Sequence, residues 1–226
     1  MPGTKRFIYR KDLFLYTLFA IAMAYLEATV VVYLRELFYP LGFVFPLQDI
    51  PPKIYLVELG REAATIIMLW TVSGITNRHR TEWFAFFSFN FAVWDIWYYI
   101  WLKIMLDWPA TLLDWDVLFL IPLPWIGPVL APLLVSAALI FAALMILHFE
   151  SRGKPLKLTP VDWGLEVLAG LIIIGSFLAQ TGKIAAKLAP ESYPWWVFII
   201  GMVLGLTVFV HRVYKDPDTD PIKSGQ

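Results

Sequence analysis

Six stretches of this chain, at about residues 13–34, 54–76, 83–105, 127–148, 161–181 and 195–213, are long and apolar enough to cross a lipid bilayer as helices. A helix rises ~1.5 Å per residue, so a ~30 Å hydrocarbon core takes about 20 mostly apolar residues. Helix breakers and charge separate the stretches. Pro40, Pro46, Pro51 and Pro52 fill the first connection and residues 77–80 the second, Pro155 and Pro160 bracket the fourth, and Pro190 and Pro194 close the fifth. Of the 226 residues, 59% are hydrophobic and 16% charged, where a soluble domain carries roughly 45–50% and about 25%. A water-facing domain of this size must coat its surface with polar groups, and a lipid-facing one need not. The expected fold is all-α: a polytopic transmembrane bundle of six spans, one unit over residues 1–215, with a short polar cytoplasmic tail, expected to be disordered, at 216–226.

The basic residues orient the spans. With the N-terminus inside, Lys5, Arg6, Arg10, Lys11, Arg78, Arg80, Arg152, Lys154, Lys157, Arg212, Lys215 and Lys223 fall on the cytoplasmic side. Arg35, Lys53, Lys103, Lys183 and Lys187 fall outside, which is 12 against 5, with Arg61 inside a span. Cytoplasmic loops carry the excess of Lys and Arg, and an odd number of spans would spoil the asymmetry. Both termini are therefore expected in the cytoplasm, with the spans in the plasma (inner) membrane. Residues 13–34 are too long for a signal-peptide core and contain Glu27, so they read as a retained first span.

Residues 106–126 do not fit a span, because their apolar part is short and broken by Pro122 and Pro124. A re-entrant or interfacial helix between spans three and four is expected there. Leu-Asp-Trp occurs twice, at 106–108 and 113–115, which suits indole anchors with Asp side chains capping short helices. A cation site on Asp107, Asp114 and Asp116 is the sharper alternative, but oxygen-only sites need more ligands than three carboxylates supply.

Ionisable groups inside a bilayer are costly and face the bundle interior, paired or functional. This chain has five: Glu27, Glu58, Arg61, Glu62 and Asp95. In the predicted topology all lie at or outside the midplane, with Glu58 and Asp95 roughly 8 Å apart in depth. Glu58, Arg61, Glu62, Thr65 and Ser73 fall near one stripe of the second helix, and Ser88, Asp95, Tyr99 and Lys103 share a stripe of the third. Tyr98 joins this set just beyond Asp95. Spans four to six have no ionisable residue in their central portions. An internal ion-pair network would place Arg61 with Glu58, Glu62 or Glu27 and let Lys103 answer Asp95, fixing helix register and nothing more. Four acids against two cations leave at least one carboxyl to be protonated or to meet a ligand.

Other chemistries lack their residues. The zero net charge gives no field for nucleic acid, and the absence of cysteine removes thiol chemistry. His79, His148 and His211 lie at the cytoplasmic end, away from the carboxylates, so no metal or cofactor is expected. Gly201 and Gly205 form a Gly-x-x-x-Gly pair suited to close helix packing or to a second copy of the chain. Residues 90–99, NFAVWDIWYY, resemble the Trp-acid stretch of integral-membrane terpene cyclases over those ten residues, with no second motif to extend the likeness. The expected function is an outward intramembrane site on spans one to three, formed by Glu27, Glu58, Arg61, Glu62, Asp95, Tyr98, Tyr99 and Lys103. It would bind or transport a proton, cation or small ligand. The alternatives are a membrane-embedded acid–base enzyme for a prenyl or other lipophilic substrate, and an accessory subunit docking on a membrane-complex partner.

Overall fold

The structure, a computed structural model, describes residues 4–75 and 79–215. The chain is mostly helical: α1 (Thr4–Phe38), α2 (Pro52–Ile75), α3 (Arg80–Leu106), α4 (Leu130–Ser151), α5 (Pro160–Leu178), a short α6 (Thr181–Ala185) and α7 (Trp195–Lys215). A two-stranded hairpin, β1 (Trp115–Phe119) and β2 (Trp125–Pro128), stands between α3 and α4. The predicted tail at 216–226 and residues 76–78 of the second connection lie outside the described residues.

Among the described residues, four helical segments are long and apolar enough to cross a membrane: Tyr9–Phe38, Leu130–Ser151, Pro160–Ala185 and Trp195–Lys215. α2 and α3 match them in length, with 24 and 27 residues, but are more polar. Lys53, Glu58, Arg61 and Glu62 interrupt α2, and Asn90, Asp95 and a run of indole and phenol rings lower the hydropathy of α3. The outer faces of the bundle are greasy at mid-helix: Leu26, Ile67 and Leu171 are each about 60% exposed. Apolar exposure on that scale suits lipid contact and not water.

Helix packing follows the small residues. Ala20, Ala24 and Ala28, four apart on α1, are fully buried and let α3 lie close alongside. Beyond α3 comes α4, while α5 pairs with α7, and α2 rests on α3 and barely touches α1. The Gly201/Gly205 pair, expected to suit close helix packing or a second copy, packs closely against α5 of the same chain. A Cβ at Gly201 would stand 2.7 Å from Ile173 Cγ1 and 3.0 Å from the Ala169 carbonyl oxygen. That glycine face is already covered. At the start of α5 a capping box forms around Pro160: the Asp162 N–H donates to Thr159 Oγ1 at 3.2 Å, and the Thr159 N–H donates to Asp162 Oδ2 at 2.7 Å.

The expected re-entrant or interfacial helix over 106–126 is instead an antiparallel hairpin, with Trp115 opposite Pro128, Asp116 opposite Gly127 and Val117 opposite Ile126. Two local causes favour it. Residues 115–119, WDVLF, are aromatic or branched on most positions and fit a pleated surface. Pro122 and Pro124 cannot donate to a helix and confine the turn. Gly127 brings the hairpin close to α5, since a Cβ there would meet the Phe177 ring at 3.1 Å. The Asp residues of the segment divide. Asp107 closes α3 in the left-handed conformation at φ 51°, Asp114 accepts from the Ala110 and Thr111 N–H groups at 2.8 and 3.2 Å, and Asp116 is buried. Among the described residues no group of three or more His, Asp or Glu is disposed to hold a metal ion.

Candidate functional site

A cavity of about 390 Å3 lies where α1 and α2 part, walled by α3 and closed over by the hairpin. The helical repeat explains which residues face it. On α1, Glu27, Val31, Leu34, Arg35 and Phe38 recur on one stripe, and on α2 Tyr55, Glu58, Glu62 and Thr65 do the same. Trp94, Asp95, Tyr98 and Tyr99 supply the α3 wall, while Asp49 and Lys187 stand among the loop residues that line it.

Arg61 joins the two helices that scarcely touch. Its Nε and Nη2 donate to Glu58 Oε2 at 2.9 and 2.8 Å, and its Nη1 meets Glu27 Oε2. The Thr65 hydroxyl also donates to Glu27. Glu27, Glu58 and Glu62 are all buried. Among the described residues no cation pairs directly with Glu62; both its oxygens accept from the Leu120 N–H, at 2.9 and 3.1 Å. That N–H is free because the strand pairing ends at Phe119, so the carboxylate fastens the hairpin tip to α2. Asp95 accepts a hydrogen bond from the Ser136 hydroxyl of α4 at 2.7 Å.

A second tie runs from α1 to β1. Arg35 Nη2 meets Asp116 Oδ1 at 3.2 Å with both side chains buried, and the guanidinium lies over the Trp108 ring at 3.7 Å and the Phe43 ring at 4.4 Å. Among the described residues, Arg35 Nη1 and Asp116 Oδ2 are buried without a hydrogen-bond partner. Burial pushes the Asp116 carboxyl above its ordinary range, against the opposing pull of Arg35. Nearer the loops, Lys187 Nζ bonds Asp49 Oδ2 at 2.6 Å, and Tyr39, its phenol pushed up by burial, accepts from the Gln48 N–H at 2.8 Å.

The cavity thus gathers seven of the eight predicted residues: Glu27, Glu58, Arg61, Glu62, Asp95, Tyr98 and Tyr99. Lys103 is elsewhere. Its ammonium pairs with Asp107 at 2.7 Å and reaches the carbonyls of Asp107 and Pro109 at 3.3 and 3.1 Å, because the left-handed turn at Asp107 folds the chain back over the last turn of α3. It does not answer Asp95. Sequence reasoning left Arg35 outside the site and weighed Asp116 only for a cation site with Asp107 and Asp114. Arg35 lies eight residues beyond Glu27, on the same helical stripe. Asp116 sits on a strand and had no helical stripe to place it.

The lining holds six carboxyls, Glu27, Asp49, Glu58, Glu62, Asp95 and Asp116, against three cations, Arg35, Arg61 and Lys187. Carboxyls without a cation can keep a proton or accept hydrogen bonds from a guest. A helical bundle with four segments able to cross a membrane, and a charged cavity at one end, defines a class of membrane protein but no family. No family model, curated protein or solved structure matches the chain.

Proposed function

We propose that the chain is a six-span plasma-membrane protein, both termini cytoplasmic, whose cavity opens outward and binds a small polar ligand or proton. The observation that carries this reading is the cavity itself: carboxylates from α1, α2 and α3 converge on one space in excess of the cations that could neutralise them. Burying charge without a partner is very unfavourable, so a fold that retains such an excess at one end of the bundle has a use for it. α2 and α3 bring the span count to six. Glu58, Arg61, Glu62, Thr65 and Asp95 turn to the cavity, leaving apolar positions such as Ile67 to the lipid. The basic residues set the direction, because the cavity lies at the end of α1 away from the N-terminal Lys and Arg cluster.

The test is native mass spectrometry of the protein extracted in mild detergent, followed by uptake into proteoliposomes. Wild type should carry a small guest or show pH-dependent uptake, and Asp95→Asn and Glu58→Gln should lose it while still inserting. If both variants keep the guest and lose only stability, the carboxylates are a register-fixing network and the proposal is wrong. Acid–base catalysis on a lipophilic substrate is the second reading. It is favoured by Asp95 lining the cavity with the Trp94 and Tyr98 rings, which lie 6.3 Å apart and nearly parallel. Conversion of a lipid extract without uptake would select it.

A further inference from the structure

We infer that the guest of this cavity is a monovalent organic cation, an amine or quaternary ammonium carrying an apolar portion and a hydroxyl or carbonyl oxygen. The inference rests on the ligand-binding reading above and names its chemistry.

Charge balance comes first. Arg35 is matched by Asp116 and Lys187 by Asp49, while Arg61 serves Glu27 and Glu58 together. Glu62 and Asp95 remain, and each is held only by a neutral donor, the Leu120 N–H and the Ser136 hydroxyl. Carboxyl groups in the cavity therefore outnumber the cations after every internal pair is formed. A cationic guest restores neutrality there, and an anionic one would add to the excess.

The walls decide what kind of cation. Hard metal ions take six to eight oxygen ligands, and among the described residues no carboxylate group is clustered for one. Instead Trp94 and Tyr98 line the space beside Asp95, and aromatic faces attract alkylammonium groups. The volume of about 390 Å3 falls in the range of small-molecule pockets, roughly 300–1,000 Å3, far more than a bare ion fills. The Arg35–Asp116 pair then accounts for the guest's other end. It leaves one buried donor, Arg35 Nη1, without a partner among the described residues, and a hydroxyl or carbonyl oxygen on the guest can accept from it.

The experiment is calorimetric titration of the full chain in nanodiscs with choline, benzyltrimethylammonium, the uncharged choline isostere 3,3-dimethylbutan-1-ol, and glutamate. At least one ammonium probe should bind, with the isostere and glutamate at least tenfold weaker. Asp95→Asn and Glu62→Gln should each weaken ammonium binding tenfold or more, while Lys103→Met leaves it unchanged. Thermal midpoints of the same samples identify any variant that fails to fold, and the comparison of choline with its isostere on wild type then decides. Isostere or glutamate binding as tightly as the ammonium probes overturns the cation and leaves the ligand pocket standing. If none of the four probes binds, the cation is likewise rejected. The pocket itself falls only if detergent-extracted wild type also carries no guest.

Discussion

Replacing Arg35 with methionine keeps an unbranched apolar stem but removes the guanidinium, and with it one charge from the pair that fastens α1 to β1. The two side chains are only 9% and 4% exposed, so water does little to soften the loss. Breaking a buried ion pair from one side costs about 3–5 kcal/mol, most of it the burden of the orphaned carboxylate. The desolvated guanidinium contacts with Trp108 and Phe43 add about 2 kcal/mol each, and the methionine stem recovers part of that. Removing both charges should differ sharply. In R35M/D116L the space is refilled with apolar atoms, an exchange often neutral or even stabilising. The double variant should therefore lie within about 2 kcal/mol of wild type, far from the sum of the singles. Acidity gives an independent check. Burial already raises the Asp116 carboxyl above its ordinary 3.8, and Arg35 opposes that rise, so R35M lets it climb further. A carboxyl with a raised folded-state pKa favours the fold fully below its unfolded value and loses that contribution as pH rises through the folded one. The R35M deficit should thus be smaller near about pH 5 than near about pH 8. Equilibrium unfolding in SDS, followed by circular dichroism, measures all three proteins. An R35M deficit under about 1 kcal/mol, a deficit independent of pH, or a double variant as weak as the summed singles would refute the reasoning.

The two glycines of α7 should separate cleanly. Gly201→Ala drives a methyl to 3.0 Å from a backbone oxygen that cannot turn aside, an overpacking worth about 1–3 kcal/mol. Gly205→Ala meets Glu166 Oε2 at 3.3 Å and Ala169 Cβ at 3.4 Å and should cost less than Gly201→Ala in the same SDS titration; a reversed order would show that α5 does not seat on Gly201. The loop over 107–114 should loosen in acid. Lys103 holds Asp107 below the ordinary 3.8, and hydrogen bonds from Thr111 and Ala110 hold Asp114 below it although burial alone would raise it. Carboxylates lowered in the fold give their full support above the ordinary value and lose it as pH falls through the folded one. Hydrogen-exchange protection at Ala110 and Thr111, corrected for intrinsic rates, should persist at about pH 5 and drop at about pH 2.5; unchanged protection across that interval would count against the carboxylates as the restraint.

What could be read from the chain, and what could not, divides along one physical line. A buried carboxylate on a helix announces its face through the 3.6-residue repeat, so Glu58 and Glu62, with Thr65, could be assigned a common wall before any coordinates, as could Asp95 and Tyr99. Side chains whose partners come from distant, irregular backbone carry no such signal. Lys103 shares the Asp95 stripe on the helix, yet a single left-handed residue at Asp107 supplies a nearer carboxylate and two carbonyls. Asp116 reads as a candidate cation ligand with Asp107 and Asp114 until the strand places it against Arg35, a contact spanning 81 residues. The hairpin was illegible for the same reason. Residues 115–119 are too few for periodicity to tell strand from helix, and the pairing of β1 with β2 is settled by prolines in the turn and by the packing of Gly127 against Phe177. Two ties from the helices to the hairpin, Arg35 to Asp116 and Glu62 to the Leu120 N–H, are made by charged groups lining the cavity. A guest that engages Glu62 must therefore compete with Leu120 for its oxygens. Occupancy of the cavity and the seating of the hairpin that closes over it are then coupled through a single carboxylate, as linkage requires when two partners share one acceptor.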